Sequence, residues 1–479
     1  MELAKAVYAE FGKQEGFLRF TRRAPQKRVD QWQKMGIDPR GIDREIVEIM
    51  HRTHIGVDND PVNLILQGLK ASIADGWGGS MVATELSDVL FGTPEPVRSE
   101  ANLGVLKEDH VNIVAHGHEP VLSEMILAAA GDPGLVAKAE AGGAKGINVV
   151  GMCCTGNEII MRHGIPLAGN FMQQELAIIT GAVDAMIVDV QCIMPALGDL
   201  CECFHTKFIS TSYKAKFPGA VHMQFNEENT LAIAKEIVGA AVENYGHRVP
   251  EKVFIPKEKT ACMVGFSAEA IIKALGGTLD PLLDAIKSGA IKGIAGVVGC
   301  NNPKIKHDEG HVELVRELIR NDVLVVNTGC NAIATAKVGL MLPEAAEEAG
   351  DGLKGVCQAL GIPPVLHMGS CVDISRILSV CAAVANALGV DISDLPVAGA
   401  APEWMSEKAV SIGAYVVSSG IFTVLGTVPP VLGSAVVTEV LTKAANDVVG
   451  AAFAVETDPV QGARLMIAHM DKKRQALGI

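Results

Sequence analysis

The chain has 479 residues, 49% of them apolar and 20% charged, with a formal charge of −14. That length allows two to four domains and a large buried core. The acidic balance argues against nucleic acid and anionic membrane surfaces as partners, because both reward a basic face. The 11 cysteines are odd in number and scattered along a long chain, which argues against a disulfide framework. The segment MELAKAVYAEFGKQEGF has mixed charge and no apolar signal-peptide core. No run reaches the roughly 18 unbroken apolar residues of a membrane span. The expectation is a cytoplasmic, reducing setting with no membrane span.

In chain order, residues 1–95 read as helical. MELAKAVYAEF, KRVDQWQKMG, DREIVEIMHRTH, NLILQGLKASIA and MVATELSDVLF carry apolar residues at helical spacing. FGTPEPV breaks that pattern. Residues 96–250 read as α/β. VNIVAHG, GINVVGM, DAMIVDVQ and FISTS are predicted strands. PVLSEMILAAA, LVAKAEAGG, NEIIMRHG, QQELAIITGA and ENTLAIAKEIVGAAVENY are the helices among them. The proline-containing stretch GHRVPEKVFIPKEK marks a boundary near 250. Residues 251–479 form a second α/β block. ACMVGF, GIAGVVG, DVLVVN, PVLHMG, LPVAGAA and AYVVSSG are its predicted strands, with helices such as HVELVRELIR and ISRILSVCAAVANALG between them. The fold class is therefore α/β, a helical N-terminal region followed by two doubly wound, Rossmann-like parallel-sheet domains.

Five apolar runs each end in cysteine among glycine or small polar residues: GINVVGMCC (Cys153, Cys154), AMIVDVQC (Cys192), IAGVVGC (Cys300), LVVNTGC (Cys330) and PVLHMGSC (Cys371). A sixth, VNIVAHGH, ends in His116 and His118. Ligands of open α/β sheets bind outside the carboxyl ends of the strands, so these ends are candidates for one crevice. Thiolates that outnumber imidazoles suit iron–sulfur or other soft-metal chemistry. No C-x-x-C pair is present, so local zinc-ribbon and ferredoxin motifs are absent. Taken singly, each cysteine reads as a small buried apolar residue. Cys201 and Cys203 in CECF read as structural, since C-x-C on a helix sends the thiols to different faces. Cys262, Cys357 and Cys381 read as core.

HGHEPVLSEMI, GMCCTGNEIIMRHGIP, TGAVDAMIVDVQCIMP, GCNNPK, VNTGCNA, PPVLHMGSCVDISR and EKAVSIG occur in this order. Together they resemble the anaerobic nickel–iron carbon monoxide dehydrogenases, from about residue 40 to the C-terminus. The resemblance implies the hybrid-cluster protein/CO dehydrogenase type of fold. It also implies a nickel–iron–sulfur cluster, the C-cluster, between the two α/β domains, with CO and water converted to CO2, two protons and two electrons. By motif, His118 and Cys154 match the ligands of a pendant iron. Cys192, Cys300 and Cys330 match ligands of the cubane-like irons, and Cys371 matches the nickel ligand. His116 matches no ligand and reads as a supporting hydrogen-bonding group. Lys408 matches a lysine that stabilises developing carboxylate charge. Ile412 matches an apolar residue crowding the open nickel position. Asp75 matches an acid near the cluster; unaided, it reads as a turn or capping aspartate.

Full-length members of that family begin with a cysteine-rich helical segment holding further 4Fe-4S clusters, the B- and D-type, and a histidine series for protons. No cysteine precedes Cys153, so ligands for those clusters are not found here. The expectation is a short natural form that passes electrons to a ferredoxin-like carrier or a separate iron–sulfur subunit, with a homodimer admitted by the resemblance. Two other functions compete: a hybrid-cluster-like reductase of small nitrogen species, and a non-catalytic CO or redox sensor. HMGSC and EKAVSIG fit the dehydrogenase better than the reductase.

Overall fold

The computed structural model describes residues 2–11 and 15–479. Its contacts divide the chain into two compact units. One comprises Met1–Leu90, Ser267–Thr328 and Pro343–Ile479; the other comprises Phe91–Phe266 and Gly329–Leu342. We call them the first and second units.

The second unit holds β1 (Val97–Ala101), β2 (Val111–His116), β3 (Ile147–Met152), β4 (Leu167–Gly169), β5 (Val183–Val188), β6 (Lys207–Ser210), β7 (Val221–His222) and β8 (Thr260–Val264). They lie in the order β7-β6-β5-β2-β3-β4-β1-β8. β2 pairs in parallel with β3 and β5, while β1 and β8 pair antiparallel at one edge. β2 and β5 are buried along their whole length, as expected of strands covered on both faces. One face packs Ile113 and Ile187 against Ile126 and Ile237; the other gathers Val114, Val150, Met186 and Cys153. β8 corrects one sequence expectation. ACMVGF was assigned to the second α/β block, but it closes the first sheet by pairing with VRSEA, a strand that the sequence pattern did not reveal.

The first unit holds β9 (Gly293–Val297), β10 (Val323–Thr328), β11 (Val365–Gly369), β12 (Val397–Ala401), β13 (Phe422–Leu425) and β14 (Phe453–Val455). Their order is β11-β10-β9-β12-β13-β14, with parallel pairing throughout. Both sheets therefore repeat one layout. Counted from β2 in one and β9 in the other, six strands run 3-2-1-4-5-6, the doubly wound order. The strand order reverses between β2 and β5, and again between β9 and β12. AYVVSSG is the second correction. It was expected as a strand but continues the helix Glu407–Ser418, and the strand is the following FTVL.

The N-terminal helices lie in the same unit as the six-stranded sheet. Trp32 donates its indole N–H to Ser418 O at 2.7 Å, and the buried Arg28 donates to Val449 O at 2.6 Å and pairs with Asp391. Trp77 meets Trp32 edge to face at 5.5 Å and donates to Ser419 Oγ at 2.9 Å. Trp77→Phe keeps an aromatic ring but removes that donor and part of the buried indole. We expect a loss of about 2–4 kcal/mol from the unpaired Ser419 hydroxyl and the cavity together, read by denaturant unfolding of the metal-free chain. The stretch Cys371–Leu388 is long and apolar enough to span a membrane, yet more than half of it is buried inside the protein, as for a core helix.

Candidate metal centre

In the second unit the sheet's carboxyl edge gathers imidazole and thiol groups. β2 delivers His116 and, past Gly117, His118. The His118 Nδ1 lies 3.0 Å from Val190 O. A carbonyl only accepts, so the proton sits on Nδ1 and the lone pair on Nε2, the form that ligates a metal. His116 donates from Nε2 to Cys192 O at 2.9 Å. Burial and the neighbouring His118 hold its pKa down to about 4, so it is neutral at pH 7.

β3 runs into Cys153 and Cys154, which open the helix Cys153–His163. Asn157 on this helix donates to Cys153 O at 2.8 Å and to Gly329 O at 3.2 Å. That bond ties it to the helix Gly329–Lys337, which carries Cys330. The Cys153 thiol is pushed well above its usual pKa by burial, by a hydrogen bond with Cys330, and by Cys192 and Cys154 nearby. The thiols of Cys330, Cys192 and Cys154 thus surround that of Cys153. Cys153, Gln191 and Cys192 all adopt positive φ, at 55°, 60° and 55°. Non-glycine residues adopt this conformation only where the surroundings impose it, and such positions concentrate at functional sites.

In the first unit β9 leads to Cys300, whose Sγ lies 3.3 Å from Ser406 Oγ. β11 leads to Ser370 and Cys371. Cys371 opens a short turn closed by reciprocal bonds between Ser370 and Asp373. Asp75 lies at the start of the π-helical turn Asp75–Ser80 and accepts from Ser411 Oγ at 2.7 Å and Ser80 Oγ at 3.2 Å. Ser411 belongs to the helix Glu407–Ser418. There Lys408, Ser411, Ile412 and Tyr415 share one face by their i, i+3, i+4, i+7 spacing. Lys408 is half-buried and Ile412 buried. Tyr415 is fully buried. Burial and the charges of Asp75 and Cys371 raise its pKa well above the usual value. Ser411 and Tyr415 were missed from sequence, although the helical period from Lys408 points to both. An apolar cavity of 550 Å³, lined by Ile42, Ile46, Ile65 and Leu69, reaches Asp75 and Ser411.

The other cysteines behave differently. Burial lifts Cys201, Cys262, Cys357 and Cys381 to about 12, so these thiols stay protonated. Cys203 is exposed while Cys201 is buried, so the C-x-C pair does not face one ion. Among the described residues no three His, Cys, Asp or Glu side chains form a site for a single ion. In an iron–sulfur cluster sulfide bridges the metals and the protein supplies few donors to each. The donor chemistry fits such a group: neighbouring thiols, and an imidazole whose proton is fixed on Nδ1.

A sequence model described as the Prismane/CO dehydrogenase family matches residues 1–460. The chain belongs to this family. It is 69% identical over 478 residues to carbon monoxide dehydrogenase 1 of Methanosarcina mazei, covering 100% of this chain and 76% of that protein. Carbon monoxide dehydrogenase 1 of Carboxydothermus hydrogenoformans is 52% identical over 95% of this chain and 73% of its own length. Among solved structures, a nickel-free carbon monoxide dehydrogenase from a Thermococcus species superposes with TM-score 0.98 at 60% identity, over 100% of this chain and 76% of that one. The Prismane/CO dehydrogenase fold expected from sequence is thereby shown, with its two parallel-sheet domains and helical N-terminal region.

Proposed function

We propose that this protein oxidises CO with water to CO2, two protons and two electrons, at a nickel–iron–sulfur cluster. His118, Cys154, Cys192, Cys300 and Cys330 would hold iron, and Cys371 nickel. The observation that carries the reading is the gathering of thiols beside a Nδ1-protonated His118 at the strand ends, in a chain 69% identical to a carbon monoxide dehydrogenase.

When bound, such a cluster supplies an open metal position for CO, Lewis acidity that lowers the pKa of water, and storage for two electrons. The protein's own groups do the rest. Lys408 places positive charge where the carboxylate develops. Ile412, buried on the same helix face, would make the space beside the bound group apolar and crowded. Asp75, held through both oxygens by Ser411 and Ser80, is oriented to take a proton from water. The electrons would pass to a ferredoxin-like carrier or a separate iron–sulfur subunit in the cytoplasm, and a homodimer is the assembly that the resemblance implies.

The test is CO-dependent reduction of a viologen dye by protein purified without oxygen. Turnover with CO supports the reading. Metal-loaded protein that reduces no dye under CO but reduces hydroxylamine would overturn it in favour of the hybrid-cluster chemistry. Protein that binds CO and never turns over would favour a sensor.

A further inference from the structure

The two sheets repeat more than their strand order. At both reversal points the first strand ends in a glycine with positive φ, Gly117 at 134° after β2 and Gly299 at 119° after β9. A proposed metal donor follows each glycine directly: His118 in one unit, Cys300 in the other. A buried carboxylate from the end of the fourth strand then meets the turn.

In the second unit this carboxylate is Asp189, 3% exposed, directly after β5. Its Oδ1 and Oδ2 accept the His118 N–H at 2.8 and 3.0 Å, and Oδ2 accepts the Glu119 N–H at 2.9 Å. Its own neighbour Val190 also donates to it. A Cβ on Gly117 would collide with this carboxylate. The next carbonyl, Val190 O, takes the His118 ring proton, so two consecutive residues hold both backbone and side chain of His118.

In the first unit it is Glu403, 0% exposed, just past β12. It accepts the Asn301 side-chain N–H at 3.0 Å and the Gly310 N–H at 3.0 Å. The adjoining His311 donates to Cys300 O at 2.7 Å and lies 3.9 Å from Glu403. Among the described residues neither carboxylate is paired with lysine or arginine. Burying a carboxylate without a cation is costly unless it is fully hydrogen-bonded; Asp189 is held by the His118 and Glu119 amides of the ligand-bearing turn, and Glu403 by Asn301 of its turn and by Gly310 in the first turn of the helix Glu309–Arg320.

We infer that Asp189 and Glu403 are equivalent positioning residues, each clamping from the fourth strand the turn after the first strand that presents His118 or Cys300. The clamp is built into the chain before any metal arrives. The inference rests on the cluster proposed above, but its first readout does not.

The experiment measures amide hydrogen exchange on the metal-free chain, then iron affinity, for wild type, Asp189→Ala, Asp189→Asn, Glu403→Ala and Glu403→Gln. Asp189→Ala is expected to speed exchange at His118 and Glu119 about 10–100-fold, and Glu403→Ala at Gly310 likewise. Protection elsewhere in the sheets stays unchanged. The Asn and Gln variants, which keep one acceptor oxygen and the shape of the side chain, fall in between and cover the case in which an alanine variant does not fold. Iron affinity falls about 10–100-fold in each alanine variant, as for other groups that orient metal ligands, with partial rescue in the amide variants. Unchanged exchange at these amides overturns the inference whatever the protein binds. So does released exchange with wild-type iron affinity. If wild type itself binds no iron, the proposed function fails while the exchange result still decides the clamp.

Discussion

Lys408→Ala is expected to lower CO oxidation about 10²–10³-fold, the usual cost of removing one preorganised charge from a site where charge develops. The side chain is half-buried on the helix Glu407–Ser418, on the face shared with Ser411 and Ile412. Ser411 is bonded to Asp75 at 2.7 Å, so this face is also the one that meets the proposed acid. Because Lys408 is not a proposed ligand, nickel and iron content should stay at wild-type levels. Lys408→Arg keeps the charge and is expected to retain more activity than the alanine variant. Steady-state dye reduction under CO, with metal analysis of the same samples, checks both points. Wild-type turnover in Lys408→Ala would remove the lysine from the account.

The second large effect concerns stability. Arg376→Met is expected to cost about 3–5 kcal/mol, because it leaves the buried Asp373 and the partly buried Asp88 without their cation. Arg376 is 5% exposed and forks onto Asp88 with two bonds of 2.7 Å, while its Nε reaches Asp373 at 2.9 Å. Asp373 in turn accepts the Ser370 N–H at 2.8 Å, the Ser370 hydroxyl at 3.0 Å and the Thr84 hydroxyl at 3.1 Å. That set closes the turn on which Cys371 sits. Denaturant unfolding of the metal-free chain measures the loss. Arg316→Met, at a partly exposed arginine paired with Glu313 and Glu348, is the comparison and should cost less than about 1 kcal/mol. Equal effects at the two arginines would show that the network under Cys371 carries no special weight.

Much of the fold was legible because its strands are buried on both faces and so read as short continuous apolar runs between amphipathic helices. The cysteines at the ends of those runs stood out for the same reason. Three features escaped. AYVVSSG is rich in β-branched residues and reads as a strand, but it prolongs a helix whose N-cap, Ser406, accepts the Ala409 N–H. Tertiary packing of Tyr415 and Val417 outweighs local propensity there. VRSEA and ACMVGF pair at a sheet edge, and period alone does not say which sheet receives a strand. The groups that support the site were missed most completely. Asp189, Glu403 and Ser411 are ordinary polar residues in sequence, and their roles arise only from which strand end or helix turn faces them. The residues carrying the resemblance, by contrast, each sit within a distinctive short motif.

The most direct test of the central claim is nickel, iron and sulfide per chain, on protein made with ample nickel and purified without oxygen. The account expects about one nickel and about four irons with matching sulfide. Iron without nickel would contradict it, and would leave the thiols and His118 holding a cluster of another kind.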